Sequence, residues 1–147
     1  MANTITRNQT LDSAARTASI ERAVVEWLNA CPHIPCRVQK DFLGKTSGMG
    51  VATIQGVKAK QYIYGGYLGR YQCEIAYRLI AANDDERLSA DELLDRIGEW
   101  MESNSLAPPE GIQWWKARRS NMAALLMPYD NGTEDHAIQI TITYEVL

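Results

Sequence analysis

Three side chains with chemical potential stand close together in "CPHIPC": Cys31, His33 and Cys36, with Pro32 and Pro35 between them. Thiolates and an imidazole are zinc ligands, and two near thiols are the raw material of a redox pair. The spacing suits neither chemistry. A redox pair has two intervening residues, so that one thiolate attacks the other sulfur, whereas four separate these cysteines. A structural zinc site takes four ligands in paired spacing, and the segment offers at most three, with His136 the only other histidine. The expectation is therefore no metal and no cofactor, with Cys31 packed at a helix end and Cys36 opening a strand.

Other motifs are equally indirect. "GKTSGMG", from Gly44 to Gly50, looks like the end of a phosphate loop, but that motif needs glycine where Gln39 stands. It also needs a helix after Thr46, where the chain is Gly-rich and strand-like, so a flexible hairpin loop is expected instead. Ser-His-Asp catalysis assembles in space and leaves no fixed spacing. Two histidines, one in a Pro-rich loop and one opening a strand, with scattered carboxylates, point away from an enzyme. "WWKARR" remains. Trp114 and Trp115 could stack bases, and Lys116, Arg118 and Arg119 could hold phosphates. Strand alternation puts the two Trp rings on opposite faces, one core and one surface, and an exposed Trp amid Arg is also what protein interfaces favour. These five residues are expected at a subunit or partner interface, with a nucleic-acid-binding module as the alternative. Asn131-Gly132-Thr133 matches a glycosylation sequon with nothing to route it to a secretory pathway.

The elements that must position these residues follow from composition and periodicity. A chain of 147 residues, 46% hydrophobic and 22% charged, suits one soluble domain. A net charge of -3 provides no global basic field. Residues 1–18 are polar, lack the apolar region of a signal peptide and are expected to be loosely ordered, ahead of one domain over 19–147. No apolar run approaches the ~18 residues of a membrane span. Three cysteines without an export signal imply reduced thiols in a cytoplasm. Ile20, Val24, Trp27 and Leu28 form one apolar stripe of a helix over about 19–31, capped by Ser19 and stopped by Pro32. "CRVQKDFL", "GVATIQGV" and "KAKQYIYGGY" read as short strands broken by glycines, and "YQCEIAYRLI" as a longer one. "NDDE", with Asp84, Asp85 and Glu86, reads as an acidic turn. Ser89-Ala90-Asp91-Glu92 then reads as a capping box opening a helix over about 89–103. "WWKARR" and "AALLMPY" have strand character, "DNG" is a turn, and the segment from His136 to Val146 alternates throughout. The fold class is α+β: a mostly antiparallel twisted sheet flanked by two main helices.

The order "IERAVVEWLNACP", "DFL", "KQYIYGGYLGRYQCEIAYR", "IGEWMES" with "PPEG", and "YDNGTEDHAIQITITYEV" resembles the small minor capsid or tail-terminator (tail-completion) proteins of tailed bacteriophages. The resemblance spans nearly everything after residue 18. It implies a virion assembly protein, present in the host cytoplasm during assembly, and a six-fold ring of this chain at the head-proximal end of the tail tube. Such a ring stops tube growth and joins the tube to the head connector, so the implied partners are copies of itself, the tail tube protein and the connector. Relatives in the same setting act as head-completion or other minor capsid proteins. The resemblance implies a structural cysteine at the end of the first helix. Genomic DNA must pass the ring without sticking. Six copies at -3 each carry about -18, which favours a lumen that repels phosphate. Asp84, Asp85 and Glu86 are therefore expected to face the channel, and the Lys116–Arg119 cluster a neighbouring protein.

Overall fold

Alternation along the last strand sets the layering. His136, Ile138, Ile140, Ile142, Tyr144 and Val146 are all buried, while Gln139, Thr141, Thr143 and Glu145 between them are half-buried. One face of the sheet therefore carries the core and the other is polar. The computed structural model describes residues 18–41 and 44–147. Its elements are α1 (18–29), β1 (Val38–Lys40), β2 (Gly48–Gln61), β3 (Tyr67–Ile80), α2 (Asp84–Ser103), β4 (Trp114–Arg119), β5 (Ala124–Pro128) and β6 (Thr133–Val146). They form an α+β fold with one six-stranded sheet of order β1-β2-β3-β6-β4, in which β5 also pairs with β6. Among the described residues only the β1–β2 pairing is parallel; the others are antiparallel.

Both helices cover the apolar face. The stripe of Ile20, Val24, Trp27 and Leu28 on α1 is buried, as are Leu94, Ile97 and Met101 of α2. Trp27 is the junction. Its ring stacks on Trp115 of β4 at 4.7 Å between centroids, and its Nε1 donates to the Asn104 carbonyl at 2.7 Å. That carbonyl belongs to the C-cap of α2, so one side chain ties both helices to the sheet.

The "NACPHIPCRV" segment is a clamped exit from α1. Asn29 accepts from the Val38 amide at 2.8 Å and donates to the Val38 carbonyl at 3.1 Å, closing the loop onto the start of β1. Cys31 is buried, Cys36 is exposed, and both are free thiols. Burial raises the Cys31 pKa and pushes that of Cys73 up to about 12, so neither is primed as a thiolate.

Several boundaries differ from those expected. α1 is already helical at Ala18 and Ser19, so Ser19 is not its cap. The expected loose segment otherwise lies outside the described residues, as does the Phe42-Leu43 part of the first strand. The glycines in 48–61 do not break the chain into short strands: β2 runs through Gly50 and Gly56, with irregularities between Thr53 and Gln55 and between Lys58 and Lys60. Pairing with β3 along the full length overrides the local glycine signal. The segment holding "GKTSGMG" links two parallel strands and is not a hairpin loop.

The largest shift concerns α2, which begins at Asp84 rather than Ser89. Asn83 is the N-cap, accepting from the Glu86 amide at 3.0 Å, and Glu86 reaches back to the Ala82 amide at 2.6 Å. "NDDE" is thus a capping sequence nearly two turns earlier, with Asp84, Asp85 and Glu86 in the first turn where the helix dipole favours them. Ser89 is exposed within the helix. Asn83→Ala is expected to cost about 1 kcal/mol, and Ser89→Ala to change stability by less than about 0.5 kcal/mol. Urea denaturation of the two variants checks the order, and the reverse order would return the cap to Ser89.

Candidate interaction surface

β4 divides the five candidate interface residues between the two faces of the sheet. Trp114 is 42% exposed, and Lys116 and Arg118 are exposed beside it on the open face. Trp115 turns inward: it is buried against Trp27, and its Nε1 donates to the Leu106 carbonyl at 2.8 Å. Arg119 also points to the helix side. Its Nε donates to Glu102 at 2.9 Å, its backbone amide donates to the same carboxylate at 3.2 Å, and its Nη1 lies 3.7 Å from Glu99. The Arg119 side chain crosses α2 at Gly98, where an added Cβ would sit 2.5 Å from Arg119 Cδ. Trp115 and Arg119 therefore bind the helix layer to the sheet and leave the surface to Trp114, Lys116 and Arg118.

The register adds a cation that sequence distance concealed. Thr143 of β6 pairs with Lys116 on one side and Arg70 of β3 on the other, so the two exposed cations flank it on the open face. Arg118 pairs with Thr141, one step further along. Glu145, paired with Trp114, and Glu74, paired with Gln139, set carboxylates on the same face. The surface is a field of mixed sign with an exposed indole at one end.

The helix layer has the opposite character. Asp84, Asp85 and Glu86 are all exposed, and Asp84 pairs with Arg87 at 2.9 Å. Along the ridge of α2 opposite its buried residues run Asp85, Leu88, Glu92, Arg96 and Glu99, all exposed.

A polar network at the start of β6 was missed in the sequence. Glu134, Asp135 and His136 are all buried. Asp135 accepts from Arg78 Nε at 2.7 Å and Nη2 at 2.9 Å and from the Tyr129 hydroxyl at 2.8 Å. Burial pulls its pKa upward, but the Arg78 and Tyr129 hydrogen bonds outweigh this and hold it below the ordinary value. Glu134 is held below its ordinary value by its hydrogen bond with His136, and then by Arg87 at 3.0 Å, against the pull of burial. His136 has a carboxylate on each ring nitrogen: Asp91 at 2.7 Å on Nδ1 and Glu134 at 2.8 Å on Nε2. Both ring nitrogens therefore have partners within the fold. The available signal was "EDH", three consecutive polar residues opening an otherwise alternating strand.

No protein-family model matches the sequence. No curated protein matches it either. Among solved structures, 16 chains match. One belongs to the virion of a native gene transfer agent (GTA) particle, with a TM-score of 0.63 and 13% sequence identity, covering 88% of this chain and 96% of that one. The fold is shared with a virion chain. Nearly the whole length of that chain takes part, so the likeness is to a complete unit and not to a local motif.

Proposed function

We propose that this chain is a non-enzymatic virion assembly protein, a tail terminator that forms a ring at the head-proximal end of a tail tube and joins it to the head connector. The observation that carries this reading is the fold shared over 96% of a virion chain. The site geometry fits it. The buried histidine has both nitrogens engaged by carboxylates, and the exposed Trp114, Lys116 and Arg118 form the kind of aromatic and cationic surface that protein interfaces use. In this reading the exposed first turn of α2, with Asp84, Asp85 and Glu86, faces the channel and repels passing DNA. The ring is six-fold, its neighbours are the tail tube protein and the connector, and the chain resides in the virion after assembly in the host cytoplasm.

Particles assembled without this chain should carry tails of uncontrolled length that fail to join heads, and supplying the chain should restore one length. Electron microscopy reads this directly. Normal tail length with unjoined heads would instead assign a head-completion role, and normal joined particles would refute both. The open face supports one further reading, because Trp114, Lys116, Arg118 and Arg70 together resemble a platform for single-stranded nucleic acid. The terminator reading expects both single-stranded and duplex DNA to bind no tighter than ~10⁻⁴ M at physiological salt. Micromolar affinity with a steep salt slope, lost in Arg118→Ala, would favour the nucleic-acid reading.

A further inference from the structure

The two broad faces of this molecule are chemically unlike and mutually complementary. The open sheet face presents Arg70, Lys116 and Arg118, with the exposed Trp114 at one end. The opposite side presents the outward ridge of α2, where Asp85, Glu92 and Glu99 recur at seven-residue intervals and Leu88 is 66% exposed. Seven residues of helix span about 10.5 Å. Arg70 and Lys116 lie two strands apart across Thr143, about 9.6 Å. The acidic period of the helix thus matches the cationic spacing of the sheet. The minor charges match as well. Arg96 sits on the acidic ridge, 2.6 Å from Glu92, and Glu74 and Glu145 sit among the cations of the sheet. Carboxylates interspersed among the cations weaken the face as a phosphate reader and suit a protein surface of mixed sign.

We infer that the open sheet face of one copy receives the outward ridge of α2, from Leu88 to Glu99, of a second copy, with Leu88 against Trp114 and Glu92 and Glu99 against Lys116, Arg118 and Arg70, and with Asp85 in the first turn outside the contact. The inference rests on the ring reading and deepens it by naming the two surfaces that meet. Because the surfaces are different and lie on opposite sides, the contact is heterologous: each copy offers one of each to its neighbours, and repetition closes a ring when the rotation allows. Trp114 and the arginines, desolvated in the contact, provide the anchors, and the surrounding charges set partner and register.

The test uses the full chain and two double variants. Lys116→Glu with Arg118→Glu disables the sheet face, and Glu92→Lys with Glu99→Lys disables the ridge. All four side chains are exposed, and circular dichroism verifies that each variant is folded. Mass in solution is measured at low and at high salt. The wild type should associate in a concentration-dependent way and dissociate as salt rises. Each variant alone should be monomeric. An equimolar mixture offers two complementary contacts, the unaltered ridge on the unaltered sheet face and the reversed ridge on the reversed sheet face, so the two variants should alternate and recover the wild-type mass. A chain carrying all four reversals should assemble again. Variants that keep the wild-type mass overturn the inference, and so does a mixture that stays monomeric. In either case normal termination of tails by the wild type would leave the ring reading standing on other surfaces. A tail-length defect absent on omission of the chain, alongside re-assembly of the mixture, would remove the terminator role and keep the contact. Tight duplex binding that is lost only in the sheet-face variant, with assembly unchanged, would reassign that face to nucleic acid and overturn the inference.

Discussion

Trp27→Ala is expected to remove about 4 kcal/mol, a large share of the ~5–15 kcal/mol that stabilises an ordinary domain. Trp27 has no exposed surface, and its ring lies against Trp115. Truncation leaves a large cavity between α1 and β4 and strips the Asn104 carbonyl of its indole donor. Both helices lose their common tie, so the loss should be global and not confined to α1. Trp27→Phe separates the two contributions, since it keeps a stacked ring and removes the N–H. It should cost about 1–2 kcal/mol. Guanidinium denaturation at neutral pH measures both. Equal costs for the two variants would mean that the hydrogen bond, and not ring packing, dominates the junction.

Arg78→Met should cost about 3 kcal/mol, because among the described residues it leaves the buried Asp135 carboxylate with only the Tyr129 hydroxyl as side-chain donor. The variant also frees the Gly44 carbonyl that Arg78 Nη1 holds at 2.8 Å, and the stacking of the guanidinium on the Tyr129 ring, 4.9 Å from its centroid. Its pH dependence identifies the cause. In the wild type Asp135 and Glu134 have folded pKa values below their ordinary 3.8 and 4.5. A depressed carboxylate pKa contributes stability that is fully present above the ordinary value and is lost as pH falls through the folded value. The wild type should therefore weaken on acidification below pH 4.5 and lose this contribution at still lower pH. Without Arg78, burial favours the neutral form of Asp135, and protonation relieves the unpaired charge. The gap between wild type and variant should narrow as pH falls. A gap that stays constant down to the acid transition would show that packing of the Arg78 stem, and not the ion pair, carries the effect.

Periodicity made much of the architecture legible. The alternation from His136 to Val146 and the stripe of Ile20, Val24, Trp27 and Leu28 each required a buried partner surface, and the sheet with two helices on one face is what joins them. The opposite orientation of Trp114 and Trp115 follows from strand geometry alone, and the structure has one exposed and the other buried. Local capping chemistry was ambiguous because two sequences nearly two turns apart, "NDDE" and "SADE", both satisfy the same rule. Only the packing of the helix decides which one sits at the end. Glycines within β2 look like breaks because local propensity ignores the neighbouring strand, and the ladder to β3 carries the chain through them.

The surface was the least legible part. Arg119 reads as part of a cationic run, yet tertiary packing lays it across Gly98 onto Glu102, and Arg70 joins Lys116 only through the register of β3 and β6. The Glu134–Asp135–His136 network reads as a polar strand start, and its burial is decided by partners that arrive from α2 and β3: Arg87 and Asp91 from the first, Arg78 from the second. Sequence by itself determined the elements and their apolar faces, because those depend on periods of a few residues. Which cations share a surface, and which are spent inside, depends on strand register and helix placement. Those are set by contacts between residues tens of positions apart, and only the tertiary structure decides them.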